Sequence, residues 1–266
     1  MKFQTNGLII KEQNYGENDK LVWVLTGSHG VLRAFAKGAK SIKSAKCAPT
    51  SLLSYSRLTF YKSRETYIIG DAQSLRIFSK LRSDVVRMCL AQYFCELALT
   101  ICPQEQPAEQ FLSPVLNSLY LLAEGKRSAS LIKPCLEMRL ACLAGYMPDL
   151  LMCRSCGAYS APQMVFLPRS GRLECASCHD ASGDGAVTLS EAALTALRHT
   201  VYADDKKLFS FSLSEGGLEQ LNRATEAYLH FRFEKDFKTL SFYKAIISAA
   251  DSAKPDGRTH GSVPTK

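Results

Sequence analysis

The sequence predicts an α+β fold: a small basic β-barrel at the N-terminus, then a helical domain with a zinc-finger module embedded in it. Three observations predict it. The first eighty residues alternate short apolar strands with turn-rich segments. From residue 81 the apolar period changes from two to about 3.6. Within the helical run, four cysteines stand as two pairs, Cys153-Arg-Ser-Cys156 and Cys175-Ala-Ser-Cys178.

Residues 1–80 hold five runs rich in β-branched, leucine and aromatic residues, at 3–11, 21–26, 31–37, 52–61 and 65–72. Turn chemistry separates them: Asn14-Tyr15-Gly16-Glu17-Asn18-Asp19, then Gly27-Ser28-His29-Gly30, then a basic Gly/Ser/Ala/Pro stretch over 38–50. Five short strands with no long helical stretch fit a five-stranded Greek-key barrel of the OB type. An SH3-like barrel or half-sandwich satisfies the same pattern.

The first part of the helical domain, 81–150, contains three helices. Apolar residues from Val85 to Ala98 have helical spacing, and Pro103 stops the run. A second helix over 108–123 ends at Gly125, and a third over 131–144 closes at Gly145 with Pro148 beyond. The module at 151–182 interrupts them. A strand at 164–167, a Pro168-Arg169-Ser170-Gly171 turn and a return at 172–174 make a hairpin between the cysteine pairs. The second part, 183–250, opens with Ser190 as N-cap of a helix to 201, followed by helices over 218–233 and 240–249. Residues 251–266 are polar and rich in Pro, Gly and Ser, the composition of a disordered tail.

Each C-x-x-C turn aims two thiolates at one point. Four thiolates fill the tetrahedral shell of Zn2+ and leave no position for a catalytic water. Cys153, Cys156, Cys175 and Cys178 are therefore expected to hold one structural zinc. Cys175-Ala-Ser-Cys178-His179 also matches covalent haem attachment, which occurs after export. The opening Met-Lys-Phe-Gln-Thr-Asn-Gly lacks the order of a signal peptide, and haem leaves the first pair unexplained. Ten cysteines without an export signal suit a reducing compartment, which disfavours disulfides. A thioredoxin-like motif needs one pair, not two, while an iron–sulfur centre is compatible with the spacing. Cys47, Cys89, Cys95, Cys102, Cys135 and Cys142 share no ligand spacing and read as small buried hydrophobes.

Residues 1–80 carry thirteen Lys/Arg and five Asp/Glu, a net +8; residues 81–266 carry twenty of each. The excess of the whole chain thus lies in the predicted barrel, which calls for a polyanion partner. No stretch is long and apolar enough to span a membrane, and with no export signal read at the start a cytoplasmic protein is expected. The densest signal is at 33–46, where Arg33, Lys37, Lys40, Lys43 and Lys46 occur without an acid. On an extended, flexible loop such cations follow a phosphate backbone and release its counterions. Phe35, Tyr55, Phe60, Tyr61 and Tyr67 lie on neighbouring strands, and those facing outward are placed to stack bases. Arg33, Phe35, Lys37, Lys40, Lys43 and Lys46 are the candidate DNA-binding residues.

Gly38-Ala39-Lys40-Ser41 lacks the spacing of a phosphate loop. His29, His179, His199, His230 and His260 fall in no nucleophile or metalloprotease context. No enzymatic site is expected.

Several strings stand in a distinctive order: Gly7-Leu8-Ile9-Ile10, Tyr15-Gly16-Glu17-Asn18-Asp19-Lys20-Leu21-Val22, Leu25-Thr26, His29-Gly30 and Ala36-Lys37-Gly38-Ala39-Lys40. In order and spacing they resemble the RecO family of bacterial DNA repair proteins. Gly145-Tyr146-Met147-Pro148-Asp149-Leu150 leading into Cys153-x-x-Cys156-Gly157 resembles that family's approach to its zinc module. The resemblance reaches to about residue 248. It implies a recombination mediator: an OB-fold, a helical domain and an embedded zinc finger that bind single- and double-stranded DNA and anneal complementary strands. It also implies RecR and the single-stranded-DNA-binding protein as partners, and help in loading RecA. Lys37, Lys40 and Lys43 match the family's basic loop, and the four paired cysteines match its zinc ligands. The helix with Lys133, Glu137 and Arg139 corresponds to the region that receives the single-strand-binding protein's acidic tail, with Lys133 and Arg139 as the receiving cations, although Pro134 interrupts the match.

Two other classes remain. An RNA-binding OB/zinc module of the translation or transcription machinery would prefer RNA over DNA in competition, through its 2′-hydroxyls. A zinc-dependent nucleic-acid enzyme would need an open metal position.

Overall fold

A computed structural model describes residues 2–63, 65–180 and 185–252. Five strands open the chain: β1 (Lys2–Tyr15), β2 (Asp19–Thr26), β3 (Gly30–Ala36), β4 (Ser54–Ser63) and β5 (Thr66–Ile77). They close into a barrel in the order β1-β2-β3-β5-β4, with β1 returning to β4 and the β3–β5 pair parallel. This is the five-stranded OB arrangement that the strand pattern predicts. Alternation sends Ile9, Val22, Val24, Leu32, Ala34, Leu58, Phe60 and Ile69 into the interior.

The outer face of the barrel is divided. Near the β2–β3 turn, Leu8, Ile10, Leu25, Val31 and Leu53 join the core of the helical body. The backbones interlock there: the Val31 N–H donates to the Pro103 carbonyl (2.9 Å) and the Ala108 N–H to the Gly27 carbonyl (2.7 Å). Gly30 sits at φ +61°, and a Cβ on it would lie 2.2 Å from the Pro103 oxygen, so only glycine lets the turn approach this closely. Toward the β1–β2 turn the contact thins: Trp23 packs on the edge of the helical core, and Lys11 and Glu12 line a cleft with Gln92, Glu96 and Leu99 of the first body helix.

The body contains α1 (Val85–Ile101), α2 (Glu109–Ala123), α3 (Ala129–Leu143), α4 (Glu191–Tyr202), α5 (Glu215–Phe233) and α6 (Lys238–Ser252). Asp84 caps α1, and Ser190 and Ser214 cap α4 and α5, each accepting a backbone N–H of the first turn. The central helix is α3, buried continuously from Leu131 to Ala141. Pro134 does not break it. Proline removes the N–H that would bond to the Ser130 carbonyl, and the Asn222 side chain donates to that carbonyl at 2.7 Å.

The cysteine module is a four-stranded sheet, β6 (Asp149–Cys153), β7 (Met164–Leu167), β8 (Arg172–Cys175) and β9 (Val187–Leu189), in the order β6-β8-β7-β9. The predicted hairpin is its β7–β8 centre. The flanking β6 and β9 widen the module beyond 151–182. Helix α6 runs through Ser252, past the predicted start of the tail at 251, and residues 253–266 lie outside the described residues. Among the described residues no helix is long and apolar enough to cross a membrane.

Candidate metal centre and nucleic-acid interface

Cys153 ends β6 and Cys175 ends β8, two neighbouring strands. Each is followed by a tight turn: the Gly157 N–H donates to the Cys153 carbonyl and the Cys178 N–H to the Cys175 carbonyl, both at 3.0 Å. Gly157, at φ +73°, takes the left-handed conformation that ends the first knuckle. The four sulfurs all lie within 4.8 Å of one another, and Cys156 Sγ stands 3.7 Å from Cys175 Sγ. Four Zn–S bonds of about 2.3 Å make a tetrahedron with edges of about 3.8 Å, so the donor set fits zinc. Burial pushes the Cys153 thiol up, but backbone N–H groups of Cys156, Cys175 and Ser155 outweigh it and bring the thiol down to about 6, while the neighbouring sulfurs of Cys175 and Cys156 push Cys178 up to about 12, as expected of thiols crowded around one point.

A carboxylate holds the two knuckles from outside. Buried Glu174 accepts from Arg154 Nε (2.6 Å) and His179 Nδ1 (2.8 Å). The His179 hydrogen bond, then Arg154, keeps its carboxyl below the ordinary range. Arg154 follows Cys153 and His179 follows Cys178, so one side chain ties both turns together. The histidine of the haem-like string is therefore engaged in bracing the module.

On the outer face of the barrel, at the edge of the helical body, register places Lys11 opposite Trp23 and Trp23 opposite Arg33. These three side chains form one row across β1, β2 and β3. The Lys11 ammonium lies 4.6 Å from the indole centroid and the Arg33 guanidinium 5.5 Å. One row further, Phe35 meets Tyr15 edge to face at 4.9 Å. Arg33, Lys37 and Lys43 are exposed, while Phe35, Lys40 and Lys46 are half-buried. Of the other candidate aromatics, Phe60 and Tyr67 are interior, Tyr55 packs on the helical core, and Tyr61 faces solvent.

The basic segment is not extended. After β3 it winds through successive turns, with Ser44 N donating to Ser41 O (2.9 Å) and Cys47 N to Ser44 O (3.0 Å). Its hydroxyls close the remaining turns, Thr50 Oγ1 to Lys46 O and Ser51 Oγ to Cys47 O. It is moored to the β1–β2 turn by Gly38 N to Asp19 Oδ1 (2.8 Å) and by Lys40 Nζ to Gly16 O (3.1 Å). The cations thus project from a compact shoulder beside the Trp23 row.

The family model described as Recombination protein O N terminal matches residues 1–78, and that described as Recombination protein O C terminal matches residues 82–241. The chain belongs to the RecO family. The DNA repair protein RecO of Acetivibrio thermocellus is 32% identical over 243 residues, covering 91% of this chain and 96% of that protein. The protein of the same name from Symbiobacterium thermophilum is 30% identical over 250 residues, covering 93% and 98%. RecO membership makes this a DNA repair protein.

Within this RecO-family body, Lys133 and Arg139 are not presented to a partner. Lys133 is 2% exposed, held by Glu137 (2.9 Å) and Glu226 (2.7 Å). Arg139 is 9% exposed, donating to the Ala203 carbonyl and lying 3.5 Å from Asp205. Their charges are consumed inside the protein. Sequence reading also passed over Trp23, Lys11 and Tyr15. The signal was available: Val22 and Val24 are interior, so Trp23 between them must face out.

Proposed function

We propose that the chain is a non-enzymatic recombination mediator. The barrel binds single- and double-stranded DNA, and the protein anneals complementary strands and helps load RecA where the single-strand-binding protein coats DNA. RecR and the single-strand-binding protein are the direct partners in this reading, and the cytoplasm is its setting. The observation that carries it is the net +8 of residues 1–80, expressed as Arg33, Lys37 and Lys43 exposed beside an aromatic row on an OB barrel. Cations on two bound strands lower the repulsion between their phosphates, so annealing needs no nucleotide hydrolysis.

Zinc, when bound by the four cysteines, would pin the module between α3 and α4. With Lys133 and Arg139 buried, the acidic tail of the single-strand-binding protein needs another seat. A groove of about 470 Å3 between α5 and α6 offers one, with Arg223 and Lys235 around Phe231, Phe237 and Leu240 and with Glu226 and Asp236 also on its wall. Cations beside an apolar floor suit a tail that ends in a carboxylate.

The test is annealing of complementary oligonucleotides, bare and coated with single-strand-binding protein, without nucleotide. Acceleration that fades with salt is expected. No acceleration at any salt overturns the reading, and a preference for RNA competitor moves the chain to the RNA-binding class.

A further inference from the structure

We propose that Lys11, Trp23 and Arg33 form a cation-masked stacking site for one unpaired nucleobase, giving the barrel a preference for single strands over duplex. This rests on the DNA-binding reading above.

Trp23 is the one tryptophan of the 266 residues, and it is half-buried on an outward-facing strand position. Part of the indole packs on the edge of the helical core, and the rest is left at the outer surface of the barrel. Its two cross-strand neighbours on the same face are both cations, and both lie against the ring. Cation–π attraction keeps them there while no stronger anion is near. A strand laid across β1–β3 changes this balance. Its phosphates attract Lys11 and Arg33 more strongly than the ring quadrupole does, and the cations move outward. The freed indole face then takes a base.

The geometry continues beyond one ring. Phe35 is offset from Trp23 by one strand and two residues, a shift of about 6.6 Å along the strand. It is braced by Tyr15. The shoulder carrying Lys37 and Lys43 follows Phe35 along the chain, so the phosphate path has cations at both ends of the aromatic row. Duplex bases are already stacked and paired, and a duplex therefore gains the phosphate contacts but not the ring. Exchange of partners by the cations makes the site respond to a combination: polyanion first, unpaired base second.

The lone tryptophan reports directly. Full-length protein would be titrated by indole fluorescence, at matched phosphate concentration, with an oligothymidylate, the same strand bearing abasic sites, inorganic polyphosphate and a blunt duplex. The base-bearing strand should quench strongly and the other three should not. Equal quenching by the abasic strand overturns the proposal. Binding would then be measured by anisotropy for Trp23→Ala, with Trp23→Tyr as the conservative control. Trp23→Ala should lose about tenfold in single-strand affinity, within the stacking contribution of one base, while duplex affinity stays within about twofold. Trp23→Tyr should recover most of the loss. An equal loss on both substrates would show a general structural role and sink the stacking site. Wild-type binding with no loss in Trp23→Ala would sink it too, leaving the DNA-binding reading intact. Wild type binding neither substrate would overturn both.

Discussion

Lys133 and Glu137, one turn apart on α3, form an ion pair at 2.9 Å with their side chains 2% and 0% exposed. Glu137 is also the acceptor for Tyr93 Oη and Thr225 Oγ1, both at 2.6 Å, so this pair joins α1, α3 and α5. Glu226 extends it to Lys244 on α6. Removing Lys133 strands the Glu137 carboxylate where water cannot reach it, whereas Lys133 without Glu137 would keep Glu226. Lys133→Met should lower unfolding free energy by about 3–5 kcal/mol, and adding Glu137→Leu should recover part of it. Urea denaturation of the single and double variants checks this; a single variant as stable as wild type would contradict it.

The groove between α5 and α6 is expected to take the acidic tail. Arg223→Glu with Lys235→Glu should weaken a tail peptide by tenfold or more in anisotropy, while the thermal midpoint of the protein changes little. Unchanged affinity would place the tail elsewhere on the body.

One zinc per chain is expected by metal analysis. Cys175→Ser should abolish it, because a site of three thiolates loses much of the on the order of 10–16 kcal/mol of structural zinc binding seen in isolated peptides. Amide exchange should then rise across 149–189 while DNA affinity holds, since the barrel shares no ligand with this sheet. Iron with a visible absorption band, or DNA binding lost together with the metal, would contradict the assignment.

Binding to single strands should weaken with salt at about 0.7 in log–log slope per phosphate neutralised. Engagement of four of the five cations gives a slope of about −2.8. Lys37→Ala with Lys43→Ala, the two exposed lysines of the shoulder, should flatten it by about 1.4. Lys40 should matter less, because its ammonium is spent on the Gly16 carbonyl. Titration at three salt concentrations decides, and an unchanged slope moves DNA off the shoulder.

Alkaline pH should destabilise the body. Burial pushes the Cys95 and Cys102 thiols up to about 12 and Cys135 further. A folded-state value raised above the unfolded value of about 8.5 gives stability that is complete below pH 8.5 and is lost as pH climbs toward the folded value. Each thiol should cost about 1.4 kcal/mol at pH 9.5 relative to pH 7. At the acid end, burial alone would raise the Glu226 carboxyl, but Lys133 and then Lys244 outweigh it and lower it. That contribution is present above about pH 4.3 and fades below it. Denaturant midpoints at pH 4, 7 and 9.5 check both arms, and Cys95→Val should soften the alkaline loss.

Much of the fold was legible because it rests on local periods. The five barrel runs, the helical period from Val85, the cap at Ser190 and the 164–167 strand each carry their own signal in periodicity or capping. Strands β6 and β9 carried none: β9 is three residues long, and β6 runs into the cysteine knuckle. Lys133 and Arg139 were given to a partner by resemblance alone, and what buries them is only partly local: Glu137 lies one turn from Lys133, but Glu226 lies 93 residues away. No pattern within α3 distinguishes a paired buried cation from a solvated one. The basic segment misled for the opposite reason. Its Ser and Thr hydroxyls bond to nearby carbonyls, and this local chemistry folds a composition that looks like open loop. The cysteine pairs were legible because metal geometry dictates spacing, while the Trp23 row depended on a strand register that only the barrel supplies.

The division of the barrel's outer surface has a practical corollary. Cut free at residue 80, the barrel would bare Leu8, Ile10, Leu25, Val31 and Leu53 on one contiguous apolar patch. It is a closed unit in its hydrogen bonding yet an incomplete one in its wetting, and a truncated fragment should clump or pair before it reports on DNA. The same seam means that a strand pulling on the Trp23 row pulls on α1 and α2 as well. If DNA binds there as proposed, load on that row would reach the helical bundle as displacement of a packed wall rather than as the swing of a tethered bead.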